Sequence, residues 1–500
     1  MNEVVQVKWD KVKAPFETDV ESDNISENTE MIPFDTSVSG SVLLASMLGN
    51  IICWNAALIK VGELESSPLW PIYGSAILNG SVNKADVDWT DSRLPLSDRR
   101  IAFTSLQISL IFAASFAGAG FFVLPATWIM RALGTRRTEI ILAVATAALA
   151  ALTPLATMTD FWLLLVVRFI QGMCISNPYP VISVIISTWT AANENGIFLA
   201  ILTGYVQLSA VFTTPFCIYI SHQFGWPSIF YFQAIYIMFL TIIWTLAYRD
   251  DPETHPLVGE HELNKISANK HNRTVSIHGD QSNTAVEPTN LQVIRTPAVW
   301  VCCVAAFAYI TSIQFSITFT VMYYVWILKY PILTAGLISS IPLLSQYLIQ
   351  FVTNICSDRI RFVTEHTKIR VCCTLALSGC ATGFIVTSFI DPQYRILSTT
   401  VTVIGLSCLG FNSDGFPKSA VLIGPQKPVL VMSCVQAILT LGLFCGSFIV
   451  PGLTPDRTAE QYHVFFRVYG GLLIIANVLF VVFCKAKVID FTQNFKKSVC

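Results

Sequence analysis

The sequence is poor in charge. Only 13% of its 500 residues are Asp, Glu, Lys or Arg, against roughly 25% in a soluble domain. Hydrophobic residues reach 53% and the mean hydropathy is +0.59, which excludes an ordinary soluble protein and fits an integral membrane one. With 31 basic residues, 32 acidic residues and a net charge of −1, no basic surplus is left to neutralise phosphates, so no nucleic-acid partner is expected. The chain also lacks a Gly-rich phosphate loop, an HExxH helix and a nucleophile elbow. His222, His255 and His261 fall in loops without metal-ligand spacing. No enzyme activity, metal or other cofactor is expected. The long polar loop 61–102 has no cysteine, and the adjacent pairs Cys302–Cys303 and Cys372–Cys373 lie inside apolar runs, which excludes a disulfide framework. The chain begins with a polar tail instead of an apolar h-region, so no cleavable signal is expected and the first span serves in its place.

What is present is a series of apolar runs of about 20 residues, each long enough to cross a bilayer. Twelve spans are predicted, near 39–60, 104–126, 138–157, 161–183, 198–220, 227–248, 297–320, 333–355, 369–390, 396–413, 428–450 and 464–484. The fold class is all-α. The domain reading is a tail (1–38), an N-terminal six-helix bundle (39–248), a polar linker (249–296), a C-terminal six-helix bundle (297–484) and a second tail (485–500). Lys and Arg concentrate on one side when both termini are cytosolic, as the positive-inside rule requires. Loop 61–102 then faces the exterior or an organelle lumen, where Asn79-Gly80-Ser81 is a glycosylation sequon on the permissive side. A plasma or vesicular/lysosomal membrane fits equally.

Arg168 interrupts an otherwise apolar span. An arginine near mid-membrane costs roughly 2.5–3.5 kcal/mol on insertion scales, so it faces protein or a watery cavity, and the functional reading is contact with an anion. The plain alternative is a clamp on backbone carbonyls. Helical spacing places Gln171, Gly172, Ile175, Ser176 and Tyr179 on its face; the pair Gly172 and Ser176 also suits tight helix packing. Pro178 and Pro180 should bend or loosen the second half of the span. The seventh span carries Tyr309, Ser312, Ser316, Thr320 and Tyr323 along one side, and the eighth carries Gln346, Gln350, Asn354 and Asp358. An aqueous cavity is expected from these stripes. Asp414 is the one clear intramembrane acid, readable as an ion pair with Lys418 or as a proton-carrying carboxylate.

Several motifs in order resemble the anion:cation symporter family of the major facilitator superfamily, the group of sialin, the vesicular glutamate transporters and the type I sodium–phosphate cotransporters. VVRFIQGMCISNPYPV is similar to its fourth span through Arg168, Gln171, Gly172, Tyr179 and Pro180. FGWPSIFY (Phe224–Tyr231) resembles its sixth-span entry, and DPETHPLVGEHELNKI its signature through Pro252, His255, Pro256, Glu262 and Ile266. SDRIRFVTEHTKIR (Ser357–Arg370) and GFNSDGF (Gly410–Phe416) resemble its eighth-to-ninth loop and its tenth span. The resemblance implies a twelve-helix, usually monomeric carrier of organic anions or phosphate, working by alternating access. Its driving force would be sodium, protons or membrane potential.

The departures narrow this expectation. The coupling glutamate of some members is Ile175 here, and charged positions of the glutamate transporters fall at Cys53, Tyr309 and Phe112. The first gating loop, MRALGTRR, keeps Gly134 and the basic pair Arg136 and Arg137 but lacks its aspartate; the second keeps Asp358 and Arg359. A singly charged organic anion is expected at a site of Arg168, Tyr179, Tyr309, Asn55 and Gln171, with Asp414 as the coupling candidate. A facilitator of a neutral solute and a transporter-shaped receptor are the alternatives.

Overall fold

A computed structural model describes residues 31–484 apart from 63–66, 71–72, 74–86, 88, 91–92, 102, 191–194, 256–257, 259–296, 361–362, 424–427 and 456. Asn79, Glu262, Ile266 and most of the linker therefore lie outside the described residues. Among those described there is no β-strand, and twelve helices are long and apolar enough to cross a membrane. They are α1 (Asp35–Leu58), α2 (Leu106–Leu133), α3 (Thr135–Thr159), α4 (Phe161–Trp189), α5 (Phe198–Phe224), α6 (Ser228–Ala247), α7 (Pro297–Trp326), α8 (Ile332–Ser357), α9 (Glu365–Thr387), α10 (Arg395–Ala420), α11 (Val429–Leu453) and α12 (Ala459–Phe483). The expected spans agree closely, except that α2, α4, α7 and α10 run several residues further.

Hydrophobic residues cover the outside as well as the inside: Phe121, Trp128, Trp162, Leu246 and Ile396 are all exposed. That is the surface a bilayer selects, and inside hydrocarbon only helices satisfy every backbone group within one segment. The first six helices pack on one another through α2–α4, α1–α5, α3–α6 and α1–α6, and the last six through α9–α12, α9–α10 and α7–α11. The two sets meet chiefly along α2 against α11 and α5 against α8.

Glycine sets the closest approach. A Cβ on Gly172 would stand 1.7 Å from the Ser115 carbonyl oxygen, and one on Gly118 would stand 1.9 Å from that of Phe169. The backbones of α2 and α4 therefore touch, which only small residues permit. Close packing is one use of the small-residue stripe on α4.

Four spans are interrupted, α5 only at Gly204, which parts Asn195–Thr203 from Tyr205–Phe224. α4 comprises two helices, Phe161–Cys174 and Pro178–Trp189, because a proline at the start of the second piece cannot donate to the turn before it. α7 contains a π-helical stretch at Phe315–Phe319. α10 passes from Arg395–Ser407 into a 3-10 stretch at Cys408–Asp414. Irregular backbone at this depth is tolerated where protein or a cavity covers it.

Candidate functional site

The four interruptions surround one cavity between the helix sets, with Thr203 and Tyr205 flanking the α5 break on its wall. Its volume is about 1020 Å³, counting the part open to solvent. Ile175 from the α4 break, Ile317 and Thr318 from the π-stretch, and Asn412 and Ser413 from the 3-10 stretch all line it. Apolar walls come from Leu48, Ile52, Phe112, Phe116, Ile313 and Leu439, among others. Polar groups come from Asn55, Tyr179, Tyr205, Tyr309, Gln314, Gln350 and Gln436. Among the described residues, none that lines it is charged.

Tyr179, Tyr309 and Asn55 thus stand on the wall. Tyr309 accepts a hydrogen bond at its hydroxyl from Gln207 Nε2 at 3.3 Å and lies edge-on to Phe416. Asn55 Nδ2 donates to the Ile317 carbonyl at 3.4 Å, across the two sets. The Tyr179 backbone N–H donates to Gln436 Oε1 at 3.4 Å. Further along the same interface, Gln350 Nε2 donates to the Ala200 carbonyl and to Thr203 Oγ1, both at 2.8 Å.

Arg168 and Gln171 are not on the wall. Arg168 is wholly buried, one layer behind Ile51. Its Nη2 donates to the Ile51 carbonyl at 3.2 Å and its Nη1 to Gln171 Oε1 at 3.0 Å. Gln171 Nε2 in turn donates to Thr153 Oγ1 at 2.8 Å. The guanidinium also sits 5.7 Å from the Trp54 ring centroid, within cation–π range. Its Nε has no hydrogen-bond partner, and no carboxylate among the described residues pairs with it. Arg168 therefore ties α1, α3 and α4 together and leaves its charge uncompensated beside the cavity.

The hydroxyl and amide stripes of α7 and α8 divide between cavity and packing. Gln350 lines the cavity. Ser312 donates to the Ala308 carbonyl, Tyr323 shares a 2.8 Å hydrogen bond with Ser398, and Gln346 donates to the Leu406 carbonyl. Asn354 Nδ2 donates to Ser413 Oγ at 2.6 Å.

Both regions expected to act as gates lie on the face where α12 ends. In the first, Gly134 has φ +85°, and the Arg136 backbone N–H donates to Asp250 Oδ1 at 3.0 Å. The Arg136 guanidinium donates to the Thr245 carbonyl. A carboxylate therefore does serve the loop that lacks its own aspartate, and it comes from beyond α6. In the second, Lys418 Nζ lies 2.7 Å from Asp414 Oδ1 and 2.9 Å from Glu365 Oε2. Lys368 pairs with Glu365 at 2.7 Å, and Ser357 Oγ donates to Asp414 Oδ2 at 2.6 Å. Arg359 is exposed; the helix of α8 continues through Asp358, whose side chain lies outside those described.

Two residues escaped the sequence reading. Asp250 looked like part of the linker. Glu139 sits one turn into α3 behind the Arg136–Arg137 pair, where an acid reads as loop-side, yet it is 1% exposed. Asn177, in the α4 break, donates to its Oε1 at 2.8 Å.

A family model described as Major Facilitator Superfamily matches residues 43–429. The chain belongs to that superfamily. This facilitator is 23% identical to human sialin over 352 residues, 70% of this chain and 69% of sialin. It is 24% identical to vesicular glutamate transporter 3 of Danio rerio over 387 residues, 75% and 63% of the two chains. It is 24% identical to sodium-dependent phosphate transport protein 1 of Mus musculus over 360 residues, 69% and 74%. The expected placement as a divergent relative of this group holds. Among solved structures, the proton:xylose symporter XylE bound to 6-bromo-6-deoxy-D-glucose aligns with TM-score 0.65 at 13% identity, covering 93% of this chain and 99% of that one. The human organic anion transporter MFSD10 aligns with TM-score 0.55 at 16% identity, covering 89% and 99%. These likenesses carry the fold: the facilitator is a multi-pass membrane protein of a transporter family.

Proposed function

We propose that this facilitator is a secondary transporter that moves a singly charged organic anion with a sizeable apolar body by alternating access. One observation carries the reading: an uncompensated buried arginine lies one residue behind a cavity whose own walls are mainly apolar and uncharged. In a low-dielectric site an unpaired cation favours an anion nearby. One such charge, set back from the wall, suits a monoanion better than phosphate or a dicarboxylate. The apolar lining suits the body of the solute, and Tyr179, Tyr309 and Asn55 supply the polar contacts. Gln171 acts by holding Arg168.

Both termini are assigned to the cytosol, with residues 39–248 and 297–484 as the two moving bundles. The cytosolic gate comprises Gly134, Arg136 and Asp250 on one bundle, and Asp414, Lys418 and Glu365 with Asp358 and Arg359 on the other. The ion pair with Lys418 supports a role for Asp414 in the gate and not in coupling. Monomeric function is assigned from the fold, with sodium, protons or membrane potential as the drive.

A second reading, a facilitator of a neutral solute, is favoured by the satisfied Nη atoms of Arg168, which serve as a helix clamp. Uptake into proteoliposomes separates the two. A panel of labelled monocarboxylates, sulfonates, phosphate and neutral isosteres would be offered under imposed pH, sodium and voltage gradients. Saturable uptake of monoanions that discriminates against their neutral isosteres supports the proposal. Equal handling of acids and neutral isosteres, by wild type and Arg168→Ala alike, overturns it.

A further inference from the structure

Glu139 is a carboxylate with no use in the site or gates described so far. Its side chain is 1% exposed. Oε1 accepts one hydrogen bond, from Asn177 Nδ2 at 2.8 Å, and Oε2 has no partner. Among the described residues no lysine or arginine pairs with it. The titratable groups that face it are Cys174 from α4 and Tyr248 from the segment after α6, and the Tyr248 hydroxyl lies near Thr135 and Trp189. A structural carboxylate in a membrane core is normally paired with a cation or several donors. Asp414 shows that arrangement here, and Glu139 does not.

Its single donor is also unusually placed. Asn177 is the N-cap position of the second α4 helix, Pro178–Trp189, where the span is broken. Two residues on, Tyr179 lines the cavity, and its backbone N–H bonds Gln436 of α11 across the interface. From Glu139 to the cavity and the opposite helix set there are thus two hydrogen bonds and one short piece of helix.

From this geometry we infer that Glu139 is a proton-binding site of the transport cycle, coupled to the cavity through Asn177 and the α4 break. The inference rests on the transporter reading above and assigns its coupling ion. Ionised, the carboxylate is a double acceptor in a site with one donor. Protonated, it gains an O–H donor on an oxygen that now has no partner. Its two charge states therefore differ strongly in their preference for this buried position over a hydrated one. A state that wets this face would bind protons differently from the closed one, which is what linkage between protons and alternating access requires.

The test uses the full chain in liposomes and two readouts. Infrared difference spectra across a pH titration would report the protonated-carboxyl stretch of wild type, Glu139→Gln and Glu139→Asp. Anion counterflow, which needs no driving force, would be compared with accumulation under an acid-side pH gradient, with a trapped dye reporting proton flux. The expected result is a carboxyl band absent in Glu139→Gln and moved in Glu139→Asp. Glu139→Gln would retain counterflow within about twofold of wild type and lose pH-driven accumulation and proton flux at least tenfold. A band unchanged by Glu139→Gln, or pH-driven accumulation intact in that variant or absent from an actively exchanging wild type, overturns the inference. Absence of counterflow for every anion overturns the transporter reading instead, and the infrared band still decides whether Glu139 binds the proton.

Discussion

The Asp250 carboxylate occupies the space that a side chain on Gly134 would need. A Cβ built on Gly134 would come 2.4 Å from Asp250 Oδ2, and the glycine holds φ at +85° with ψ at 159°, a region L-residues avoid. The turn between α2 and α3 and the chain leaving α6 are thereby built around each other.

Gly134→Ala should lower stability by about 2–4 kcal/mol, from backbone strain of about 1–3 kcal/mol and contact with the carboxylate. Asp250→Ala alone should cost about 1 kcal/mol through the lost Arg136 cap. The double variant should be milder than the sum of the two, by about 0.5–3 kcal/mol. Melting of the detergent-purified variants checks this, and strict additivity would show that the two residues do not share space.

Gly172→Ala should disrupt the α2–α4 contact, because the obstacle is the Ser115 backbone and not a side chain that can rotate. Overpacking of this kind costs about 1–3 kcal/mol or more. Gly471, with nothing within 4 Å of an added Cβ, is the matched control. Gly471→Ala should melt at or above the wild-type temperature, and Gly172→Ala several degrees below.

Lys418→Ala leaves a wholly buried Asp414 carboxylate without its cation, which costs about 3–5 kcal/mol for a buried pair. Combining Lys418→Met with Asp414→Leu should recover most of that loss. If Lys418→Ala melts like wild type, the pair contributes nothing to this face.

Arg168→Lys keeps a charge but cannot reach the Ile51 carbonyl and Gln171 together from one planar fork. Uptake should fall at least tenfold while preference for anions persists. Arg168→Ala, checked for folding by size-exclusion profile and melting, should lose the preference as well. Normal selectivity in a folded Arg168→Ala would rule out its electrostatic role.

Tyr309→Phe removes the acceptor for Gln207 and a polar group from the wall. The loss of about 1 kcal/mol should raise KM for transported anion roughly fivefold with little change in melting. An unaltered KM would take Tyr309 out of the substrate's reach.

The helices were legible because each apolar run has bilayer length, and a bilayer leaves no other way to satisfy the backbone. The α4 break was legible from Pro178 and Pro180. The break in α7 carries no such mark, since Phe315–Phe319 contains no proline or glycine; the α10 break contains Gly410 and is followed by Gly415 and Pro417, a mark that the span-length reading passed over. Tyr179, Tyr309 and Asn55 stand on the cavity wall. Arg168 and Gln171 do not: helical periodicity gives a direction and cannot tell a first layer from a second. Glu139 and Asp250 were missed for a related reason. An acid beside a basic loop looks solvated until the helix covering it, α4 for Glu139, is placed.

The 3-10 stretch Cys408–Asp414 joins two functions in three consecutive residues. Asn412 and Ser413 face the cavity, while Asp414 grips Lys418. No residue separates the cavity wall from the ion pair, so on the proposed transporter reading a solute that displaced Asn412 and Ser413 would also strain the Asp414–Lys418 contact. Occupancy and the strength of that pair would then vary together.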